Sequence, residues 1–208
     1  MTRTTPAKAW EEMVDGNQRF VAGTPRHPRQ DVEHRAKVSS RQFPHAALFG
    51  CSDSRLAAEI IFDKGLGDLF VVRNAGQIIS DSVVGSLEYA VQILRVPLIV
   101  VLGHDECGAV GAAIDSEQPN APALPTHIGN LVQQIVPAVR RISAHTPDGE
   151  RPDPQEVSRI HLRDTVTQLL ETSELIGDSI AAGTLAVVGA NYRLREGTAV
   201  PDIMIGAL

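Results

Sequence analysis

The sequence has no excess of positive charge. Its 208 residues include 19 Lys and Arg against 25 Asp and Glu, which gives a net charge of -6 and an isoelectric point near 5.6. Surfaces that bind nucleic acid or anionic membranes need an excess of Lys and Arg. We therefore expect no nucleic-acid partner and no membrane partner, and we predict a small-molecule ligand.

Long hydrophobic runs are absent as well. No stretch approaches the roughly 20 apolar residues that a membrane-spanning helix needs. The first 20 residues lack the uninterrupted apolar segment of a secretory signal peptide. These absences favour a soluble cytoplasmic protein.

Cysteine is scarce, since Cys51 and Cys107 are the only two. They could form a disulfide, but cytoplasmic thiols are kept reduced, which favours a metal-binding or catalytic role. A redox couple is a further interpretation, and the lack of CxxC spacing argues against it.

The composition suits one domain spanning residues 1–208, because 43% of the residues are hydrophobic and no internal repeat is visible. We divide it into an N-terminal helix and arm, 1–44, and an α/β core, 45–208. Within the arm, residues 23–44 are polar and punctuated by proline, which predicts an extended segment with one short helix.

The N-terminal helix is predicted to begin after Pro6, with Thr5 as its N-cap. Its apolar residues Trp10, Met13 and Phe20 recur at helical spacing. The arm that follows is too polar to cover them. We therefore expect this helix to pack on a neighbouring subunit, with packing on its own chain as the alternative.

Short apolar runs alternate with helical patterns through the rest of the chain. The predicted strands are 45–51, 68–74, 97–104 and 184–192, and the predicted helices are 56–62, 81–94, 109–115, 128–143 and 154–182. This alternation predicts an α/β fold with a mainly parallel central sheet of about four to five strands flanked by helices. Loops are expected at 115–127 and 144–155.

Three potential metal ligands follow these strands. Cys51 and His104 end the first and third predicted strands, and Cys107 comes three residues after His104. Sites of open parallel sheets form at the carboxyl ends of the strands, so the three side chains can converge there. Two thiolates and one imidazole leave one position of a tetrahedral zinc ion open, as in catalytic sites. A structural site would need a fourth ligand from a carboxylate or another histidine.

The motifs around these residues resemble those of the β-class carbonic anhydrases. They are CSDSR at 51–55, VVRNAG at 71–76, GSLEYAV at 85–91, GHDECGAV at 103–110 and ANYRLREG at 190–197. The resemblance implies one zinc ion per chain, bound by Cys51, His104 and Cys107. It also implies that Asp53 and Arg55 form the family's dyad beside the metal.

The same resemblance implies a substrate pocket, some of it supplied by a partner subunit. Its residues would be Gln42, Phe70, Ala75, Tyr89 and Gly108. Ala75 departs from the bulkier apolar residue that is common in the family. The implied assembly is a homodimer or a dimer of dimers.

The expected reaction is reversible hydration of carbon dioxide to bicarbonate and a proton, by attack of zinc-bound hydroxide. Asp53 would accept a hydrogen bond from this nucleophile while Arg55 holds the carboxylate. Two alternatives keep the zinc site. In one the substrate is carbon disulfide or carbonyl sulfide, and in the other Asp53 closes the site of a non-catalytic zinc protein.

Overall fold

The computed structural model describes residues 4–147 and 149–208. The strands it contains are β1 Ala46–Cys51, β2 Leu69–Asn74, β3 Leu98–His104, β4 Ala186–Arg193 and β5 Thr198–Ile205. The helices are α1 Pro6–Val21, α2 Val32–Val38, α3 Ala58–Ile61, α4 Asp81–Gln92, α5 Gly108–Ser116, α6 Thr126–Gln133, α7 Val136–Ser143, α8 Pro154–Thr172 and α9 Glu174–Ala181.

The five strands form one sheet in the order β2-β1-β3-β4-β5. The first four run parallel, and β5 pairs antiparallel with β4. This confirms the predicted α/β class and the four predicted strands. The sequence does not single out β5 as a strand, because Pro201 and Asp202 interrupt its apolar pattern. An edge strand tolerates such a proline, and the pairing shifts register opposite Gly189 and Ala190.

Two long helical regions are each divided in the structure. The region predicted at 128–143 becomes α6 and α7, and Pro137 lies in the first turn of α7. The region predicted at 154–182 becomes α8 and α9, separated by Ser173 in an extended conformation. The Ser173 hydroxyl accepts the N–H of Ile176 and thereby caps α9. Asp148, in the predicted loop 144–155, lies outside the described residues.

The sheet is covered on both faces. Alternate strand residues enter two hydrophobic clusters, as when Leu48 and Val100 face one side and Phe49 and Val101 face the other. Because all six residues of β1 and all seven of β3 are buried, these strands are apolar along their whole length. Within the described residues, no helix has the length and apolarity to cross a membrane.

Helix α1 packs on its own chain, which is the alternative to packing on a neighbour, and a further contact with a neighbouring subunit stays a prediction. Thr5 caps the helix as predicted, and Ala9 and Met13 are buried in the core of the same chain. The buried Asn17 amide donates to the carbonyls of Ile61 and Gly197. The polar arm does not have to cover α1, because α3 and the β4–β5 hairpin provide its contact surface.

A candidate metal centre at the carboxyl edge of the sheet

Cys51, His104 and Cys107 converge at the carboxyl ends of two adjacent strands. Cys51 is the last residue of β1, His104 is the last of β3, and Cys107 is the N-cap residue of α5. Their ligand atoms, two Sγ and an imidazole nitrogen, all lie within 4.8 Å of one another. All three residues are buried. Parallel pairing of β1 with β3 therefore creates the cluster that the sequence predicts.

The two ring nitrogens of His104 differ in their hydrogen bonding. Nδ1 lies 2.7 Å from the carbonyl oxygen of Asp105. Since a carbonyl only accepts, Nδ1 carries the proton and Nε2 carries a lone pair. Among residues 4–147 and 149–208, the buried Nε2 has no hydrogen-bond partner. An unpartnered buried nitrogen beside two thiols is the arrangement that a metal ion satisfies.

Each of the two thiols shifts the pKa of the other. A hydrogen bond from Cys107, together with the N–H of Gly76, lowers the pKa of Cys51 to about 4 although burial opposes this. The same hydrogen bond, together with burial, raises the pKa of Cys107. A divalent cation binds thiolates and displaces the remaining proton. The donor set therefore fits zinc, which prefers sulfur and nitrogen ligands.

Asp53 and Arg55 form a bidentate ion pair beside this cluster. The guanidinium donates from Nε to Oδ1 at 2.9 Å and from Nη2 to Oδ2 at 2.7 Å. The backbone N–H of Arg55 also donates to Oδ1. The Arg55 hydrogen bonds hold the pKa of Asp53 well below its usual range. The carboxylate is thus ionised at neutral pH and is oriented by the guanidinium.

Arg73, to which the sequence assigns no role, fixes the segment that carries Cys51 and Asp53. Its Nε donates to the carbonyl of Cys51 at 2.9 Å and its Nη2 to the carbonyl of Asp53 at 2.6 Å. These partners are backbone atoms on the neighbouring strand and the turn after it. Side-chain motifs give no sign of such contacts, although Arg73 lies within the VVRNAG motif.

Two of the predicted pocket residues lie close to the cluster in the chain. Ala75 precedes Gly76, whose N–H donates to Cys51 Sγ at 3.4 Å. Gly108 follows Cys107 and begins α5, and a methyl group on it would meet no atom within 4 Å. Both residues are exposed. They leave open space next to the metal ligands.

The other three predicted pocket residues lie at the opposite end of the strands. Phe70 pairs in register with Ala47, four residues before Cys51, or about 13 Å at the rise of a strand. Tyr89 contacts Phe70 with ring centroids 6.0 Å apart, and its residue surface is 45% exposed. Gln42 is exposed and precedes the amino end of β1. A single chain does not bring these residues to its own metal ligands.

Comparison with known proteins gives matches over most of the chain. A family model described as carbonic anhydrase matches residues 46–199. Carbonic anhydrase 2 of Mycobacterium tuberculosis is 49% identical, over 99% of this chain and 97% of that protein. The carbonic anhydrase of Mycolicibacterium smegmatis is 46% identical, over 95% of this chain and 93% of that protein.

The solved structures give the same fold at lower identity. A tetrameric β-carbonic anhydrase from the ascomycete Sordaria macrospora superimposes with a TM-score of 0.72 at 23% identity. The match covers 82% of this chain and 87% of that one. The predicted parallel sheet with flanking helices is thus an architecture found in that solved structure.

Proposed function

The chain belongs to the carbonic anhydrase family, in its β class, and we propose that it catalyses the reversible hydration of carbon dioxide with one zinc ion held by Cys51, His104 and Cys107. The observation that carries the proposal is the unpartnered Nε2 of His104 beside the two thiols, all within 4.8 Å. Bound there, zinc would lower the pKa of a coordinated water and so supply hydroxide as the nucleophile, less strongly than in a site with three histidines because the two thiolates cancel its charge.

Asp53 orients the nucleophile in this proposal. Its carboxylate is held ionised by Arg55, so it can only accept hydrogen bonds. An accepted bond turns a lone pair of the nucleophile towards the substrate carbon. Arg73 keeps Asp53 in place relative to Cys51 by holding the backbone carbonyls of both residues.

The open space beside Ala75 and Gly108 suits a small, uncharged, linear substrate. Neither residue offers a charged side chain, so bicarbonate gains no strong ion pair from them when it forms and can leave. The single methyl group of Ala75 makes the pocket wider at this point than the bulkier residue common in the family would.

We propose that a second copy of the chain completes the pocket. Gln42, Phe70 and Tyr89 are at the opposite strand end, and both Gln42 and Tyr89 are exposed. A two-fold related copy can place such an edge against the carboxyl edge of its partner. Gln42 would then donate to a substrate oxygen as negative charge develops. The smallest active unit is therefore a homodimer, with a dimer of dimers as its further assembly.

The cytoplasm is the compartment we propose, because the centre needs two free thiols. Cys51 and Cys107 are both buried and unbridged. A reducing compartment keeps such thiols available for the metal.

A non-catalytic site closed by Asp53 is disfavoured. Both carboxylate oxygens already accept hydrogen bonds from Arg55. Binding the metal would require breaking this pair. No observation favours carbon disulfide or carbonyl sulfide over carbon dioxide, and both are included in the test below.

The decisive experiment measures carbon dioxide hydration by stopped flow with an indicator dye. We expect the purified protein to hold about one zinc ion per chain, since each chain offers one three-ligand set. Cys107→Ala should lose both the metal and the activity, whereas His145→Ala, on an exposed residue, should keep both. Full activity without metal contradicts the proposal. If the protein released sulfide from carbonyl sulfide or carbon disulfide faster than it hydrated carbon dioxide, the proposed substrate would be one of those two compounds.

A further inference from the structure

A buried histidine on α8 is linked to the metal ligands through one glycine. His161 is 3% exposed, and its Nε2 lies 2.7 Å from the carbonyl oxygen of Gly76. The N–H of the same glycine donates to Cys51 Sγ at 3.4 Å. The carbonyl can only accept, so Nε2 of His161 must carry a proton. Burial lowers the pKa of His161, which keeps the ring neutral.

The turn that contains Gly76 is braced from within by the side chain of Asn74, which donates to the carbonyl of Ile78 and accepts its N–H, but these contacts do not include Gly76. Gly76 has φ +79°, and the next residue, Gln77, has φ +41°, which is uncommon for a residue other than glycine. A methyl group on Gly76 would lie 3.0 Å from both Ala109 Cβ and Ile135 Cδ1. A side chain therefore cannot be accommodated here to fix this residue. The backbone carbonyl is what remains for neighbouring elements to hold.

Helix α8 provides an anchor at the carbonyl of Gly76, to which His161 donates. The hydroxyl of Thr165 donates to the carbonyl of His161 at 2.9 Å and lies 3.4 Å from the carbonyl of Gln77, so it packs against the turn beside this anchor. His161 and Thr165 are one helical turn apart, so they face the same side of α8. The turn after β2 is thus fastened to a helix that packs on the sheet.

The N–H of Gly76 matters because two thiolates cancel the charge of a zinc ion. A hydrogen bond to a thiolate draws electron density from the sulfur and weakens its donation to a metal. The metal then keeps more of its Lewis acidity. Partners of metal ligands typically change metal affinity or activity by about 10- to 100-fold when they are removed.

We propose that His161 is a positioning residue for the zinc thiolate of Cys51, acting by holding Gly76 so that its N–H points at Sγ. This inference rests on the proposed zinc-dependent function. The hydrogen bond of His161 goes to the backbone of Gly76 and not to a metal ligand or the substrate space. Its effect is exerted entirely through the Gly76 backbone.

The test compares His161→Leu and His161→Asn with His161→Gln. Glutamine can place its amide nitrogen near the position of Nε2, whereas asparagine is one atom shorter and leucine has no donor. Leu169→Ala on the same helix is the matched control, because Leu169 is fully buried but has no polar link to Cys51. All variants are prepared with cobalt and with zinc.

The first readout is the thiolate-to-cobalt charge-transfer band. It should move to lower energy in His161→Leu and His161→Asn, because the sulfur lone pair is no longer stabilised, and return in His161→Gln. The second readout is zinc release to a chromophoric chelator, which should be about 10-fold slower in the first two variants, because a Cys51 thiolate without this hydrogen bond donates more strongly to the metal. Leu169→Ala should lower the melting temperature and leave the band unchanged.

An unshifted band in folded His161→Asn overturns the proposal, and so does an equal shift in Leu169→Ala or in His161→Gln. If His161→Leu does not fold, the comparison of asparagine with glutamine decides. Neither readout needs carbon dioxide. A chain that binds zinc and shows these shifts but hydrates no carbon dioxide would refute the proposed function and leave the role of His161 standing.

Discussion

Arg55 forms a bidentate ion pair with Asp53 through two parallel hydrogen bonds, from Nε to Oδ1 and from Nη2 to Oδ2. The same guanidinium reaches the carbonyl of Glu106 at 3.1 Å, one residue before the ligand Cys107. Arg55 therefore ties the segment after β1 to the segment after β3. These are the two segments that bring the thiols together.

Arg55→Ala should lower kcat/KM by about 10- to 100-fold and leave the zinc content unchanged. Without the guanidinium the Asp53 carboxylate loses its fixed orientation, while the three metal ligands remain. Arg55→Lys should be intermediate, because an ammonium cannot form the two parallel bonds. Stopped-flow hydration and metal analysis provide the measurement.

The control is Arg140→Ala. Arg140 forms a similar bidentate pair with Glu117 on the exposed surface, with Nε to Oε2 at 2.7 Å. Its loss should leave kcat/KM at the wild-type value. If Arg55→Ala matched Arg140→Ala in activity, Asp53 would not depend on its guanidinium partner.

Much of the candidate centre could be predicted because its residues end apolar strands. Cys51 and His104 are marked by the runs that precede them, and parallel pairing then determines that they meet. Arg73 and His161 could not be assigned in this way. Their partners are the backbone carbonyls of Cys51 and Gly76, which are 22 and 85 residues distant, and such atoms have no sequence signature.

The fold could be predicted to a similar degree, and the prediction failed at one edge of the sheet for a physical reason. Strand β5 lies at the edge of the sheet in the described part of the chain, so it does not need the continuous apolar pattern of β1 or β3. Strand β5 is also part of the surface on which α1 packs, since the backbone N–H of Ala199 in β5 donates to the side chain of Asn17 in α1. Because the sequence did not indicate this strand, it did not indicate that surface either. One unrecognised edge strand thus concealed the surface of the same chain on which the N-terminal helix packs.

Gly76→Ala should reduce the free energy of unfolding by about 1–3 kcal/mol. Alanine is strained at φ +79°, and its methyl group would crowd Ala109 and Ile135 at 3.0 Å. Gly177→Ala is the matched control, because Gly177 lies within α9 and a methyl group there meets no atom within 4 Å. It should stabilise the chain by up to about 1 kcal/mol. Urea unfolding measures both, and equal effects would contradict the strain argument.

Acid stability should depend on Asp63. Burial opposes ionisation, but the N–H groups of Arg26 and His27 and the guanidinium of Arg19 outweigh it and lower the pKa of Asp63. A lowered folded-state pKa stabilises the protein above the unfolded value of about 3.9. This stabilisation is lost as the pH falls through the lower folded-state value.

Asp63→Asn should therefore be less stable than wild type at neutral pH, and its stability should fall less steeply below about pH 4. Urea unfolding at several pH values provides the measurement. Asp178→Asn, on an exposed residue of α9, should keep the wild-type profile. A wild-type acid profile in Asp63→Asn would show that the contacts of this carboxylate with the arm contribute no net stability.

Subunit complementation should reveal whether the pocket spans two chains. Gln42→Ala and Cys107→Ala are each expected to be nearly inactive, the first for lack of the substrate donor and the second for lack of metal. In a mixed dimer, the Gln42→Ala chain still has its three metal ligands, and its Cys107→Ala partner still has Gln42. If Gln42 acts across the interface, each mixed dimer contains one intact site, and co-expression of the two variants restores activity. If Gln42 served its own chain, neither site of the mixed dimer would be complete and activity would stay at the level of the separate variants.

The control pairs Asp53→Ala with Cys107→Ala. Asp53 lies two residues from the ligand Cys51 and is paired with Arg55 of the same chain, so no mixed dimer can regain a complete site. Restoration in the first pair and not in the second would locate Gln42 in the partner's pocket.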